Sequence, residues 1–245
     1  MAASAELFCD LIASHSGRDK VMKVLCYTAK VLSTPNSTIK IDNAKKFYIF
    51  SSRISQARAT LRLVDDLPTI LYALEYGLGR HEKNRFDALL GVLTNIVDIL
   101  FFPVDKICWL SDHNILQLDE TKKSKWDVIN SVFWSLSVFL NLSRVLRDYH
   151  EKHIAGALLM KERAVGNVTN DDAEMARKRY EQQRIMESIT VLRMSLDLVH
   201  AVSSLPKGYL WGGEIKSWKV GVIGSLSGLL GIYQYVVKIK KSKKH

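Results

Sequence analysis

Residues 220–237 read VGVIGSLSGLLGIYQYVV, and 238–245 continue as KIKKSKKH. The first stretch carries no charge and holds Gly221, Gly224, Gly228 and Gly231, while the second is strongly basic. As a helix, these eighteen residues would rise about 27 Å, close to the roughly 30 Å of a bilayer's hydrocarbon core. Trp218 and Lys219 stand where interfacial anchors belong, and a basic flank marks the cytosolic end of a span. The pattern predicts a Gly-rich transmembrane helix over 215–237 and a basic cytosolic tail over 238–245. Glycines three or four apart, with Gly224 and Gly228 in the small-xxx-small register, let another helix approach closely. Either a second copy of the chain or the other span could take that place.

Working back from the tail, Val128 to Ser143 is also uncharged and is flanked by Trp126 and Arg144. It reaches spanning length if Arg144 snorkels and the helix runs on to Leu146, which predicts a first transmembrane helix over 126–146. Ala88 to Val104 is apolar but contains Asn95, Asp98 and Pro103, and a mid-helix aspartate costs roughly 2.5–3.5 kcal/mol on insertion scales. This stretch reads as a helix packed within the N-terminal part or dipping into the interface, with a cation partnering Asp98. The expected number of spans is therefore two. Between them, 147–214 reads as a charged, helical inter-span region. It carries Ile185, Ile189, Leu192, Leu196 and Val199 on one face and closes at Pro206-Lys207-Gly208.

Four prolines and scarce period-2 alternation make strands unlikely to arise, so the fold class is an all-α integral membrane protein with a helical cytosolic N-terminal region over 1–125. Ser16-Gly17-Arg18-Asp19 resembles a capping box, opening a helix with Val21, Val24, Thr28 and Val31 on one stripe. Thr34-Pro35 ends it, and a loop runs from Asn36 to Asp42. An amphipathic helix is then predicted over 43–67, stopping before Pro68. Phe47, Phe50, Ile54, Ala57, Leu61 and Val64 recur at spacings of 3 and 4, forming one narrow apolar face. Lys45, Lys46, Arg53, Arg58 and Arg62 lie around it. Such a helix suits the lipid interface, where apolar burial and basic residues near an anionic leaflet act together. The same stripe would equally serve as the seam of a helical bundle.

A net charge of +10 with a mean hydropathy of −0.01 requires apolar blocks to alternate with charged ones. The basic residues cluster beside apolar runs, and no zinc finger, basic zipper or RNA-recognition motif is present, so the implied partner is anionic phospholipid and not nucleic acid. Cys9, Cys26 and Cys108 show no metal or disulfide spacing. The N-terminus lacks the features of a secretory signal. Sequons at Asn36, Asn141 and Asn167 matter only with lumenal exposure and carry no weight. His150-Glu151-Lys152-His153 is one residue short of a zinc-protease motif. No phosphate-binding loop, dinucleotide fingerprint or nucleophile elbow occurs, so neither an enzyme nor a cofactor is indicated. A rival reading is a metabolite channel lined by Asp98, Asn130, Ser137 and Asn141. A third is a scaffold that recruits partners without shaping lipid.

Several segments share a further likeness. Gly17-Arg18-Asp19-Lys20, Arg58 to Leu67 (RATLRLVDDL), Tyr76-Gly77-Leu78-Gly79, Leu205 to Trp211 (LPKGYLW) and the Gly-rich span ending near Tyr233-Gln234 resemble, in order, the peroxin 11 family, gamma type. Only Glu151 to Asp172 departs. The resemblance implies a multi-pass peroxisomal membrane protein with both termini cytosolic, acting in membrane elongation before peroxisome division. It implies insertion of an amphipathic helix into the cytosolic leaflet, here the face Phe47 to Leu61 with its cations. It further implies self-association as a homo-oligomer and contact with a tail-anchored fission adaptor and a dynamin-related GTPase. The residues from Lys241 to His245 also fit a coat-binding Lys-x-Lys-x-x tail, although basic anchoring already accounts for them.

Overall fold

The computed structural model describes residues 2–34, 40–82, 84–165 and 170–243. The sequons at Asn36 and Asn167, most of the 36–42 loop and the tail residues Lys244 and His245 lie outside the described residues. Eight α-helices account for nearly all the rest, and no strand occurs among the described residues.

Helix α1 covers Ala2–Ala13 and α2 covers His15–Leu32. The cap of α2 is Ser14, whose hydroxyl accepts from the Gly17 amide at 3.0 Å, two residues before the expected capping box. This bond satisfies one of the amide groups that every helix start leaves without a partner. Helix α3 is Ile41–Leu61, followed by one turn of 3-10 helix at Arg62–Val64, and α4 is Asp66–Tyr76. The predicted helix over 43–67 therefore stops six residues early. Pro68 was read as a terminator, but it occupies the first turn of α4, where its missing amide costs no hydrogen bond. Gly77, at φ 55°, ends α4 in a conformation that side chains resist.

Helix α5, Arg85–Asp112, starts at Asn84, whose side chain accepts from the Asp87 amide, and continues through Pro103. Helix α6, Glu120–Val165, opens with the Asp119 carboxylate accepting from the Lys122 amide at 2.7 Å. Helix α7 is Asn170–Ser203 and α8 is Ser217–Ser242. The expected 126–146 span is thus a section of a much longer helix, and the basic residues from Lys238 onward continue α8 up to Ser242.

Three helices, not two, are long and apolar enough to cross a membrane: α5, α6 as far as Leu158, and α8. The expectation that Ala88 to Val104 is a poor span is corrected here. Its aspartate makes no ion pair among the described residues. Asp98 accepts a hydrogen bond from the Ser137 hydroxyl of α6 at 2.5 Å, so its polarity is satisfied in the α5–α6 seam. Leu90, Val97 and Leu140, with Phe133 against them, form the apolar part of that seam.

The helices are arranged as a curved row in which α3 packs on α2, α2 on α8, α8 on α7, α7 on α6, α6 on α5 and α5 on α4. A row leaves each helix with free flanks. The chain exposes 16245 Å², against about 11,000 Å² for a compact soluble monomer of 27.8 kDa. Much of the excess is apolar and ordered. Phe86, Leu89, Leu93, Ile96 and Leu100 form an outward stripe on α5. Ile129, Val132, Leu136, Phe139 and Leu146 do so on α6, and Val222, Leu226, Leu229 and Tyr233 on α8. Exposed stripes of this length on a soluble surface are costly, whereas against lipid they are the ordinary state of a membrane helix.

Candidate membrane-binding and helix-packing surfaces

All four predicted packing glycines of α8 are buried, and they face α2 of the same chain. The helices run antiparallel, with Gly221 beside Val31, Gly224 beside the Tyr27 ring, Gly228 beside Val24 and Gly231 beside the Lys20 side chain. A Cβ at Gly224 would sit 2.5 Å from Tyr27, and one at Gly228 would sit 2.7 Å from Val24. The close approach foreseen from the glycine spacing is therefore present, but its partner is the N-terminal helix α2, not the first span.

The contact between α2 and α8 extends to α7 through a buried polar group. Lys23 Nζ lies 2.6 Å from Asp197 and donates to the Ser227 hydroxyl at 2.9 Å, while Ser227 donates to Asp197 at 2.5 Å. Arg193 stands 3.8 Å from the same carboxylate and donates to Gln234 at 3.0 Å. One turn further along α7, His200 lies between two aromatic residues, 3.2 Å from the Tyr27 hydroxyl and edge-on to Trp134. Ser227 falls near the middle of the apolar run of α8, where an unpaired charge would be most costly; the lysine and the aspartate neutralise one another there. This group was not foreseen. Its trace in the sequence is Asp197, a charge set among Leu192, Leu196 and Val199, and Lys23, which lies beside the Val24 and Val31 stripe.

Helix α3 packs along α2, and near its C-terminal end the Thr60 hydroxyl accepts from the Trp109 indole of α5 at 3.2 Å. Its inward line is Ala44, Ser51 and Arg58, which recur every seven residues. Ser51 donates to the Cys26 carbonyl at 2.9 Å, and Arg58 grips Asp19 through two hydrogen bonds of 2.8 and 3.2 Å. The predicted apolar face divides beside this line. Phe47, Ile54 and Leu61 are half-buried along the seam, whereas Phe50, Ala57 and Val64 are exposed on its flank. Ile41, Tyr48 and Ile49 add to the exposed apolar surface. Of the five cations, Lys45, Lys46, Arg53 and Arg62 are exposed, and Arg58 is held by the ion pair. The exposed rim of α3 therefore carries Phe50 and Ala57 on one flank of the seam, Ile41 and Tyr48 on the other, and Lys46 and Arg53 between Phe50 and Ile49 on its outer side.

Three of the residues assigned to a channel, Asp98, Ser137 and Asn141, are linked by hydrogen bonds in the α5–α6 seam. Asn141 donates to the Ser137 carbonyl at 3.0 Å, and Ser137 closes on Asp98 between two packed helices.

At the chain's ends, Lys243 lies 2.6 Å from Asp10 and 3.0 Å from Glu6, holding α1 beside the end of α8. Hydrogen bonds that Lys243 donates to Asp10 and then to Glu6 raise its pKa above the ordinary value.

The chain is 29% identical over 240 residues to the human Peroxisomal membrane protein 11C, covering 95% of this chain and 94% of that protein. It is 30% identical over 232 residues to the mouse Peroxisomal membrane protein 11C, covering 92% and 91%. No solved structure matches it. Residues 5–236 match the pattern of the family described as Peroxisomal biogenesis factor 11, and the chain belongs to that PEX11 family.

Proposed function

We propose that this protein is a multi-pass peroxisomal membrane protein that elongates the membrane before fission, and so promotes peroxisome proliferation. The observation that carries the reading is the free rim of α3. Wedged into the cytosolic leaflet, Ile49, Phe50 and their neighbours expand that leaflet's area, while Lys45, Lys46, Arg53 and Arg62 hold the helix on anionic phospholipid. Each large side chain contributes at most about 1.5–3 kcal/mol on full burial.

The contact of α1 with the end of α8 supports a topology with both of these on the cytosolic side. That topology requires an even number of crossings. Beside α5, α6 and α8, one further crossing must then return the chain between α6 and α8. Self-association concentrates copies locally and uses the outward stripes of α5, α6 and α8, because α2 already covers the glycine face. A fission adaptor and a dynamin-related GTPase are the partners that family membership suggests.

The test is reconstitution of the full chain into anionic vesicles, with tubulation read by electron microscopy. Ile49→Glu with Phe50→Glu should leave the protein folded and abolish tubules. Unchanged tubulation by that variant would sink the wedge mechanism.

A further inference from the structure

A cavity of about 330 Å³ opens where α5 begins and the apolar section of α6 ends. Arg144 and Arg147 of α6 line it, together with Glu82, Asp87, Asp148 and Glu151. The two arginines are held differently. Arg147 grips Asp87 through both arms of its guanidinium, lies 3.6 Å from Glu151 and covers the Phe86 ring. Arg144 has no carboxylate partner among the described residues. Its guanidinium lies over the Tyr76 ring, 5.5 Å from the centroid, and donates to the Tyr72 hydroxyl at 3.3 Å. Tyr76 is fixed in turn by donating to Glu82 at 3.0 Å. A planar donor positioned by two tyrosines and left without an anion is poised to receive one.

The rest of the lining decides which anion. Four carboxylates meet two guanidiniums and the Lys152 ammonium, which lies 2.6 Å from Asp148, so the surround stays acidic by one charge and disfavours a simple phosphate. A ligand carrying both a phosphate and a nearby ammonium matches both halves, with the phosphate on Arg144 and the ammonium on Glu151, whose one cation among the described residues, Arg147 at 3.6 Å, is already gripped by Asp87. A primary ammonium gives this carboxylate three donors, whereas a quaternary one gives none. The cavity also sits at head-group depth. Tyr72 and Phe86 are exposed beside it, and the outward stripe of α5, beginning with Phe86 and Leu89, runs away from it along the path acyl chains would take.

We propose that this cavity binds the phosphoethanolamine head group of a membrane phospholipid. The proposal rests on the reading that α5 and α6 cross the bilayer. Native mass spectrometry of the full chain in detergent, offered dioleoyl phosphatidylethanolamine, phosphatidylcholine and phosphatidylglycerol at equal concentration, tests it. The ethanolamine lipid should be retained at least about fivefold over each of the others, as one or two charge-assisted hydrogen bonds allow. Arg144→Gln should bring that ratio to within about twofold, and Arg144→Lys should recover part of it. Glu151→Gln, at an exposed carboxylate, should erase the preference for ethanolamine over choline even if Arg144→Gln folds poorly. Equal retention of the ethanolamine and choline lipids by the unaltered chain overturns the proposal, as does undiminished selectivity in Arg144→Gln and Glu151→Gln. Displacement of the lipid by free phosphoethanolamine at the lipid's own concentration would assign the site to a soluble ligand and overturn the lipid assignment. Resistance to alkaline carbonate extraction reports the membrane reading separately. If it is retained while selectivity is absent, only the head-group site fails.

Discussion

Helix α8 turns its glycines inward onto α2, whereas α3, on another side of the same α2, turns Phe50 and Ile49 outward. Both helices carry regular patterns spaced by three and four, yet the patterns mean different things. A glycine stripe is a demand for contact, since bare backbone gains nothing until another helix packs against it. An apolar stripe only states a preference for leaving water, and either a protein neighbour or a lipid tail can satisfy it. In α3 the neighbour takes Ala44, Ser51 and Arg58, and the larger apolar residues are divided between the seam and the open flank.

The sharpest way to break this contrast is at the charge pair that locks α2 to α7 and α8. Lys23→Ala leaves the half-buried Asp197 with Arg193 and the Ser227 hydroxyl alone and should destabilise the protein by about 3 kcal/mol, the low end for breaking a buried pair. Lys23→Met with Asp197→Leu should recover most of that loss. Thermal melting in detergent measures both. Next comes the glycine face. Gly224→Val should cost about 1–3 kcal/mol by driving a side chain into the Tyr27 ring, and Tyr27→Ala in the same chain should restore part of it. Leu229→Ala, on the open face of α8, should stay within about 0.5 kcal/mol in detergent.

On α3 the prediction pairs two adjacent residues. Ser51→Ala removes a buried hydrogen bond to the Cys26 carbonyl and should cost about 1–2 kcal/mol. Phe50→Ser should change the melt by less than about 0.5 kcal/mol while weakening vesicle binding. If Phe50→Ser proves as destabilising as Ser51→Ala, the open flank is core and the contrast collapses.

The smallest effect belongs to the contact of α1 with the end of α8. Because the Lys243 pKa is raised in the folded protein above its ordinary 10.5, this contact contributes fully below pH 10.5 and is lost as pH rises through the folded value. The distance between spin labels at the native, exposed Cys9 and at Ser242→Cys should be unchanged through neutral pH and broaden only above that range. Salt should mimic the change, since the pair is exposed.

The helical class and the Gly-rich apolar helix were legible in the sequence because each rests on local spacing. The third candidate span was missed because Asp98 and Pro103 were weighed as if each faced hydrocarbon. Asp98 instead has the Ser137 hydroxyl for company, a fact that depends on α6 and cannot be read from α5. The early end of α3 was missed for a related reason: Pro68 stops one helix and suits the first turn of the next, and only the turn at Arg62–Val64 shows which applies. The occupant of the glycine face was beyond reach, since nothing in a stripe of small residues names the helix that covers it. The cavity beside Arg144 likewise needs Tyr72 and Tyr76, far away in the chain, to give the arginine its pose.

Helix α6 runs for 46 residues, about 69 Å, more than twice the thickness of a hydrocarbon core. On the proposed placement of Val128 to Ser143 at membrane depth, its later turns stand clear of the lipid, paired with α7 where the Tyr180 ring packs on Gly156. Gly156 lies thirteen residues past Ser143, roughly 20 Å along the helix axis. The hairpin is therefore a built-in fiducial. An antibody fragment raised against it would stand off the membrane as a visible marker in electron micrographs, showing for each molecule which way it faces and where on the organelle it gathers.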